Sequence, residues 1–304
     1  MARISVIGES LVDVVDRKPF PGGSPLNVAV GLARLEHHVI FHTEFGLDEH
    51  GALIAEHLNR AGVHLADGTQ RLIATNQAQV KLDAQRRASY RFNITWDLPD
   101  DVVAPGTDLL HTGSIGAWLE PGGSKVLAAF ENSPASLIRT YDPNIRPELA
   151  ADRDAVFARV QKLMSLAQVV KLSESDAAWL YPQWDPAEVL DHVLSLGPRL
   201  VVLTRGAMGC IAQTTTDSYA QPALVTDVVD TVGAGAAFMS GLLHGVLSSS
   251  LAGQLTEPYS GELDPVAVDQ ALRCALGSAS LSVSRSGANP PSAKELSALL
   301  AARE

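Results

Sequence analysis

The sequence predicts an α/β protein built on a mostly parallel sheet with helices on both faces. Two observations carry that prediction. Short β-branched runs alternate with helical patterns along almost the whole chain, the order expected of parallel strands joined by helical crossovers. Polar residues then collect directly behind the runs, at the carboxyl ends of the strands, where open sheets of this kind hold their ligands. A third observation sets one region apart, since residues 70–97 alternate strand-like segments with no helix between them.

The strand candidates are Ile4–Ile7, Val39–His42, Asp108–His111, Arg139–Asp142, Val169–Lys171 and Leu200–Thr204, each a short run rich in Val, Ile and Leu. Helical patterns fall between them near 24–35, 49–61, 122–131, 152–166 and 186–196. Behind the strands stand Asp142 and Asn144, then Ser173 and Asp176, then Arg205 and Gly206. Val225, Val228 and Val229 suggest one more strand. Phe238, Leu242 and Val246 share one helix face.

Residues 70–97 read as a β-hairpin standing off the main sheet, turning near Asp83–Arg87 and joined by Leu11–Arg17. Alternation puts Tyr90, Phe92, Ile94 and Trp96 on one face and Arg91 and Asn93 on the other. A hairpin alone is marginal in water, so a ligand, the main domain or a second subunit should cover it. The chain of 304 residues is read as a single domain, 1–304, with this small sheet formed by about 11–21 and 70–97.

A net charge of −11 argues against nucleic acid or an anionic membrane as partner, because both call for clustered Lys and Arg. An anionic small molecule remains compatible, since backbone amides and a few local cations suffice to bind one. Cys210 and Cys274 are far apart and form no metal-ligand spacing, which reads as two core thiols in a reducing compartment. The start "MARISVIGES" lacks the apolar length of a signal peptide, and no run reaches a membrane span. A cytoplasmic protein is expected.

Three stretches carry the chemistry. In "PGGSPLNVAVGLARL", Ser24 suits a helix cap, Pro25 the first helical position, and Val28, Leu32 and Leu35 one apolar face. Gly22 and Gly23 allow close approach to the backbone, while Asn27 and Asp13 offer partners to hydroxyl groups. In "DTVGAGAAF", a glycine turn opens a helix whose unpaired amides and dipole suit phosphate oxygens. In "VVKLSESDAAWL" and "VVLTRGAMGC", Ser173 and Asp176 read as an acidic capping box. A second reading puts Lys171 and Asp176 beside phosphates and the waters of Mg2+, and Thr204, Gly206 and Gly209 along a nucleotide. A structural turn or cap explains each stretch taken alone.

Together and in this order, the three stretches resemble the ribokinase-like (PfkB) carbohydrate kinase family over essentially the whole chain. The anchors are "GGSPLN", "YDPNIRP", "TRGAMG", "DTVGAG" and "RSGANPP". The resemblance implies transfer of the γ-phosphoryl group of Mg2+-bound ATP to a sugar hydroxyl, under a β-sheet lid. It implies that Asp13, Gly22, Gly23, Asn27, Tyr90, Phe92, Asn144 and Arg146 hold the sugar. Gly233, Ala234 and Gly235 would hold the transferring group, and Lys171, Ser173, Thr204, Gly206, Gly209 and Asn289 the nucleotide. It further suggests K+ beside Asp230 and Val232, and a homodimer formed through the lid.

The family signature ends in the aspartate that acts as general base, and this chain has Ala236 there. A methyl group accepts no proton, so severe impairment is expected, typically ~10²–10⁴ in rate. A deliberate Asp-to-Ala replacement is the expected origin, with a natural pseudokinase acting as a sugar- or nucleotide-binding regulator as the alternative. "GLARL", "YDPNIRP" and "VVKLS" are similar to the fructokinase branch and make fructose the first expectation. The lid sequence "SYRFNITWDLP" departs from that branch and keeps a larger sugar derivative or a nucleoside open.

Overall fold

The structure is a computed structural model; it describes residues 1–304 except 16, 83–87, 100–102, 257–260 and 304, and outside the described residues also lie the side chains of 80–82 and 88–91. The expected turn near Asp83–Arg87 therefore falls outside the described residues.

The first part of the chain comprises β1 (Arg3–Ile7), β2 (Leu11–Val15), β3 (Lys18–Gly22), α1 (Ser24–Arg34), β4 (His38–His42), β5 (Phe45–Gly46), α2 (Glu49–Ala61) and β6 (His64–Leu65). Next come β7 (Gln70–Leu72), β8 (Gln77–Leu82), β9 (Ala88–Asn93), β10 (Leu109–Gly113), α3 (Gly122–Asn132), β11 (Ile138–Asp142) and α4 (Arg153–Leu166). Then follow β12 (Val169–Ser173), α5 (Glu174–Leu180), α6 (Pro186–Ser195), β13 (Leu200–Thr204), β14 (Cys210–Gln213) and β15 (Ser218–Gln221). The last helices are α7 (Ala234–Leu247), α8 (Leu251–Gln254), α9 (Pro265–Val283) and α10 (Ala293–Ala301).

Nine strands form the main sheet in the order β15-β14-β13-β12-β11-β10-β1-β4-β6. All pairings are parallel except those of β14, which runs antiparallel to both β13 and β15 at one edge. From β1 the chain builds outward to β4 and β6, then returns to lay β10 on the other side of β1. That reversal opens a crevice beyond the carboxyl ends of β1 and β10.

Side-chain alternation divides the core in two. Val169 joins the layer under α1, α7 and α9, with Leu26, Leu32, Met239, Leu242 and Leu272. Val170 and Leu172 join the opposite layer with Val126, Phe130, Val160 and Leu190 of α3, α4 and α6. Lys171 therefore shares the α7 face of the sheet with Val169.

Small residues set how deeply α7 is seated. A Cβ on Gly245 would lie 2.5 Å from Ala271 Cα, and one on Gly241 would lie 2.6 Å from the Cys274 carbonyl oxygen. The two helices meet almost backbone to backbone, which fixes where the N-terminus of α7 ends up.

A second, four-stranded sheet has the order β3-β2-β8-β9. Within it Tyr90 lies opposite Val80 and Phe92 opposite Ala78. β7 pairs instead with β5 in a two-stranded sheet.

Three expectations are corrected. β9 stops at Asn93, so Trp96 is no part of a hairpin face; it is 1% exposed, and its indole N–H donates to the Gly116 carbonyl at 2.8 Å. Val225, Val228 and Val229 form no strand and are exposed, because the chain leaves the sheet edge after Gln221. Instead the N–H groups of Val229 and Asp230 bond to the Val283 carbonyl at the end of α9. Finally, α1 starts at Ser24 itself, with Gly23 as its cap and no side-chain cap bond.

Candidate active site

The crevice between β1 and β10 is floored by acid. Glu9, directly after β1, is 1% exposed and accepts the Gly116 N–H at 2.8 Å from the far side of the reversal. Burial pushes its carboxyl up to about 7, against the opposing pull of the Gly116 N–H, the Ser114 hydroxyl and Arg146. Sequence reasoning passed Glu9 over. The signal was present in "IGES", a carboxylate immediately behind the first strand.

The N-terminus of α1 closes over this acid. Gly23 has φ 110, a left-handed conformation in which an added Cβ would lie 2.7 Å from the Glu9 carbonyl oxygen. A Cβ on Gly22 would lie 2.3 Å from an Asp13 carboxylate oxygen. Asp13 on β2 is thus pressed against the glycine pair, and burial raises its carboxyl while Arg146 pulls it down. Asn27 stands one turn into α1, half-buried.

The segment behind β11 supplies the cation. Asn144 has φ 37, and the Arg146 guanidinium donates to the Asn144 side chain and to the Ile145 carbonyl. Arg146 acts electrostatically on Glu9, Asp13 and Asp142 together. Arg146 thus links Asn144 to Asp13, which lies beside Gly22, and to Glu9, which lies beside Gly23. Phe92 is half-buried on β9, and the Tyr90 side chain lies outside the described residues.

Ser173 and Asp176 do form the capping box at the start of α5. The Asp176 N–H donates to Ser173 Oγ at 3.1 Å, and the Ser173 N–H to Asp176 Oδ2 at 2.8 Å. The second oxygen, Oδ1, accepts the Ile145 N–H at 2.8 Å. Asp176 therefore ties α5 to the Asn144–Arg146 loop. Oδ2 also accepts the Ser173 hydroxyl at 2.6 Å, so Oδ1 is the oxygen with fewer partners.

Gly233 caps α7 with φ 78. Ala234 and Ala237 N–H groups bond to Thr231 and Gly233, while the N–H groups of Gly235 and Ala236 find no acceptor among the described residues. A 14-residue helix adds the positive end of its dipole at this point. Ala236 is 4% exposed and its methyl belongs to the core layer under α7.

The turn before α7 is held by Asp230. Asp230 Oδ1 accepts from the Val232 N–H at 3.0 Å and Oδ2 from the Gly287 N–H at 2.9 Å. The carboxylate so links the turn at 230–232 to the segment 284–287. A carboxylate with neighbouring carbonyls is a donor set suited to a hard cation. No group of three or more His, Cys, Asp or Glu converges as a metal cluster among the described residues.

Thr204 ends β13, next to Ser173 in the ladder. Gly206 and Gly209 bracket a short turn in which the Arg205 N–H donates to the Gly209 carbonyl at 2.7 Å. Asn289 lies across the helix layer, its side-chain carbonyl accepting from Arg34 at 2.9 Å. It follows Ala288, whose Cα would lie 2.9 Å from a Cβ on Gly233.

The chain as a whole has relatives. The chain matches the pfkB family carbohydrate kinase over residues 2–295. It belongs to that family. It is 31% identical over 284 residues to a fructokinase of Rhizobium leguminosarum bv. trifolii, covering 88% of this chain and 84% of that protein. Two solved structures resemble it at 25% identity, each covering 99% of this chain and 98% of theirs. One is a fructokinase from Xylella fastidiosa with bound ATP, at a TM-score of 0.84. The other is a double-mutant fructokinase from Vibrio cholerae O395 bound to fructose, ADP and potassium ion, at 0.82. Membership in the pfkB family makes this α/β chain a carbohydrate kinase by descent, and no described helix is long and apolar enough to cross a membrane.

Proposed function

We propose that this chain takes fructose or a closely similar small sugar as acceptor and Mg2+-bound ATP as donor, and that alanine at 236 leaves it severely impaired. One observation carries the reading: two glycine-led helix N-termini flank one crevice, with buried acid beneath α1 and a buried ammonium beneath α7. Carboxylates suit hydroxyl donors, whereas amides and ammonium suit phosphoryl oxygens. The fructokinases reported above support the acceptor and donor chosen.

In this reading Asp13, Asn27, Asn144 and Arg146 hold the sugar, with Gly22 and Gly23 letting it approach α1. The N–H groups of Gly235 and Ala236 receive the transferring phosphoryl group, with Gly233 and Ala234 shaping the turn. Charge growing on that group is met by donors already in place, so little reorganisation is needed. Lys171, Ser173, Thr204, Gly206, Gly209 and Asn289 line the nucleotide's path. Asp176 reaches Mg2+ through water, and Asp230 with the Val232 carbonyl holds a monovalent cation, K+. The β3-β2-β8-β9 sheet is the lid over the sugar, and two such lids join a homodimer. A sedimentation mass near the 32.2 kDa of one chain would exclude that dimer.

The decisive experiment is Ala236→Asp. With fructose and Mg2+-bound ATP, the variant should release ADP at least ~10²-fold faster than the parent. No sugar-dependent ADP release by the variant, across a panel of hexoses, pentoses and nucleosides, would end the kinase reading for this chain. Equal rates in both would mean that position 236 does not carry the base.

A further inference from the structure

The four-stranded sheet joins the main domain at two roots. The first is Glu9. β2 starts at Leu11, just behind it, and the turn after β3 lies against it, since a Cβ on Gly23 would be 2.7 Å from the Glu9 carbonyl oxygen. The second root is the pair Asn76 and Thr95, which bound β8 and β9. Asn76, 2% exposed, clasps its partner: its side chain donates to the Thr95 carbonyl at 3.0 Å and accepts the Thr95 N–H at 2.9 Å. Trp96 follows, its carbonyl accepting the Gly122 N–H at 3.1 Å. Then comes Asp97, whose N–H donates to buried Glu44 at 2.7 Å.

One peptide outside that sheet touches both roots. Gly116 donates its N–H to Glu9 Oε2 and accepts the Trp96 indole N–H on its carbonyl, each at 2.8 Å. The fit leaves no room for a side chain, because a Cβ on Gly116 would lie 2.8 Å from the Glu9 nitrogen and 2.9 Å from Oε2. The turn that carries Gly116 is itself strained. Ser114 has φ 56 and ψ −155, a region nearly closed to residues other than glycine that persists only where the surroundings hold it. Its N–H is held by the Asp142 carbonyl at 3.0 Å and its side chain by Glu9. Glu9, Ser114, Gly116 and Trp96 are all buried, so a bond lost here leaves a polar group unpaired.

We propose that the Gly116 peptide locks the two lid roots to each other and to the floor of the sugar crevice, which makes Trp96 and Glu9 positioning residues for the acceptor sugar. The inference rests on the kinase reading above, including its lid, and deepens it. In that reading Asp13 and Asn27 hold the sugar while the sheet covers it. The angle of the cover is fixed where the sheet leaves the main domain, and there one peptide sets both strand pairs. A root that slips leaves the hydroxyl-binding groups in place and uncovers the acceptor. The two bonds at Gly116 reach neither α7 nor the turn at Gly206 and Gly209, so the nucleotide end should be indifferent to them.

The test reads fructose and ADP binding by calorimetry on the parent chain, and kcat and KM in the Ala236→Asp background. Trp96→Phe keeps a ring beside Gly122 and removes the N–H. It should weaken fructose binding and raise the fructose KM roughly 10-fold, the scale of one buried hydrogen bond, while ADP binding, the ATP KM and kcat change far less. Glu9→Leu should act in the same direction, and Glu9→Gln, which still offers Gly116 an acceptor, should restore part of the loss. Because one peptide carries both bonds, Trp96→Phe and Glu9→Leu together should cost less than the product of their separate effects. Thermal melting identifies any variant that fails to fold. In that event Asn76→Ser, which opens only the clasp at Thr95, reads the same fructose affinity from the second root. Lowered melting temperatures with fructose affinity unchanged would overturn the positioning role and leave the kinase reading standing. No sugar bound by the parent or turned over by the Ala236→Asp variant, across hexoses, pentoses and nucleosides, would overturn both.

Discussion

The two helix N-termini at the crevice are built alike and stand over opposite charges. α1 and α7 each follow a glycine with positive φ and lack a side-chain cap. What lies underneath differs. Under α1 the strand ends bring Glu9 and Asp13, both with carboxyls raised by burial. Under α7 they bring Lys171, paired to Asp142. In the proposed reading the same backbone device serves as a hydroxyl-binding end and a phosphoryl-binding end, according to the charge placed below it. A helix dipole supplies only a partial positive charge and is easily outweighed by one buried side chain.

The comparison breaks most readily at its acid end. Asp13→Asn should lower kcat/KM for the sugar by roughly 10²-fold in the Ala236→Asp background, the scale of a lost charge-assisted hydrogen bond. ADP binding measured by calorimetry should not change. A loss of nucleotide affinity as large as that of sugar affinity would show that the two ends are not separate.

Glu9 tests the same end through pH. Its folded carboxyl titrates at about 7 against an ordinary value of 4.5. The folded state therefore holds the proton more tightly, and the stability so contributed is complete below 4.5 and is lost as pH rises to about 7. The amplitude is up to roughly 3 kcal/mol. Buried His111, held down to about 3, and His37 and His42, at about 4, act in the opposite sense. Their contribution is present above 6.5 and is lost on acidification. Glu9→Gln removes the offsetting term, so the variant should gain on the parent at pH 8 and fall more steeply towards pH 5. Urea titrations at the two pH values measure this, and parallel curves would refute it.

Smaller effects separate the two glycine turns. Gly23→Ala forces a side chain into φ 110 and against the Glu9 carbonyl, and should cost about 1–3 kcal/mol in thermal unfolding. Gly235→Ala places its Cβ at ordinary contact distance from Lys171 Nζ, in helical backbone. It should be neutral or stabilising by up to about 1 kcal/mol, while weakening ADP binding measured by calorimetry. Equal destabilisation by the two changes would show that the turns are not distinguished by what lies beneath them.

Much of the architecture was legible because its signals are local. The run 200–204 and the helical patterns at 49–61 and 186–196 depend on residue types within one element, and the structure places elements there. Ser173 and Asp176 form their capping box from residues three apart. Where a reading depended on what an element packs against, it failed. Trp96 fits the strand alternation of Tyr90 and Phe92, yet it leaves that sheet to fill the space beside Gly122, where a Cβ would lie 2.4 Å from its ring. Val225, Val228 and Val229 have strand-forming side chains and no partner strand.

By itself, then, the sequence determined the alternation of strands and helices and the two glycine turns that open α1 and α7. Each is a property of neighbouring residues, written in periodicity or in a short motif. Only the tertiary structure decided that Glu9 reaches across the sheet reversal to Gly116, and that Asp142 meets Lys171 on the face beneath Gly235. Those contacts join residues 107 and 29 positions apart. They depend on which strands become neighbours and in what register, and parallel pairing through long crossovers leaves no local trace of either.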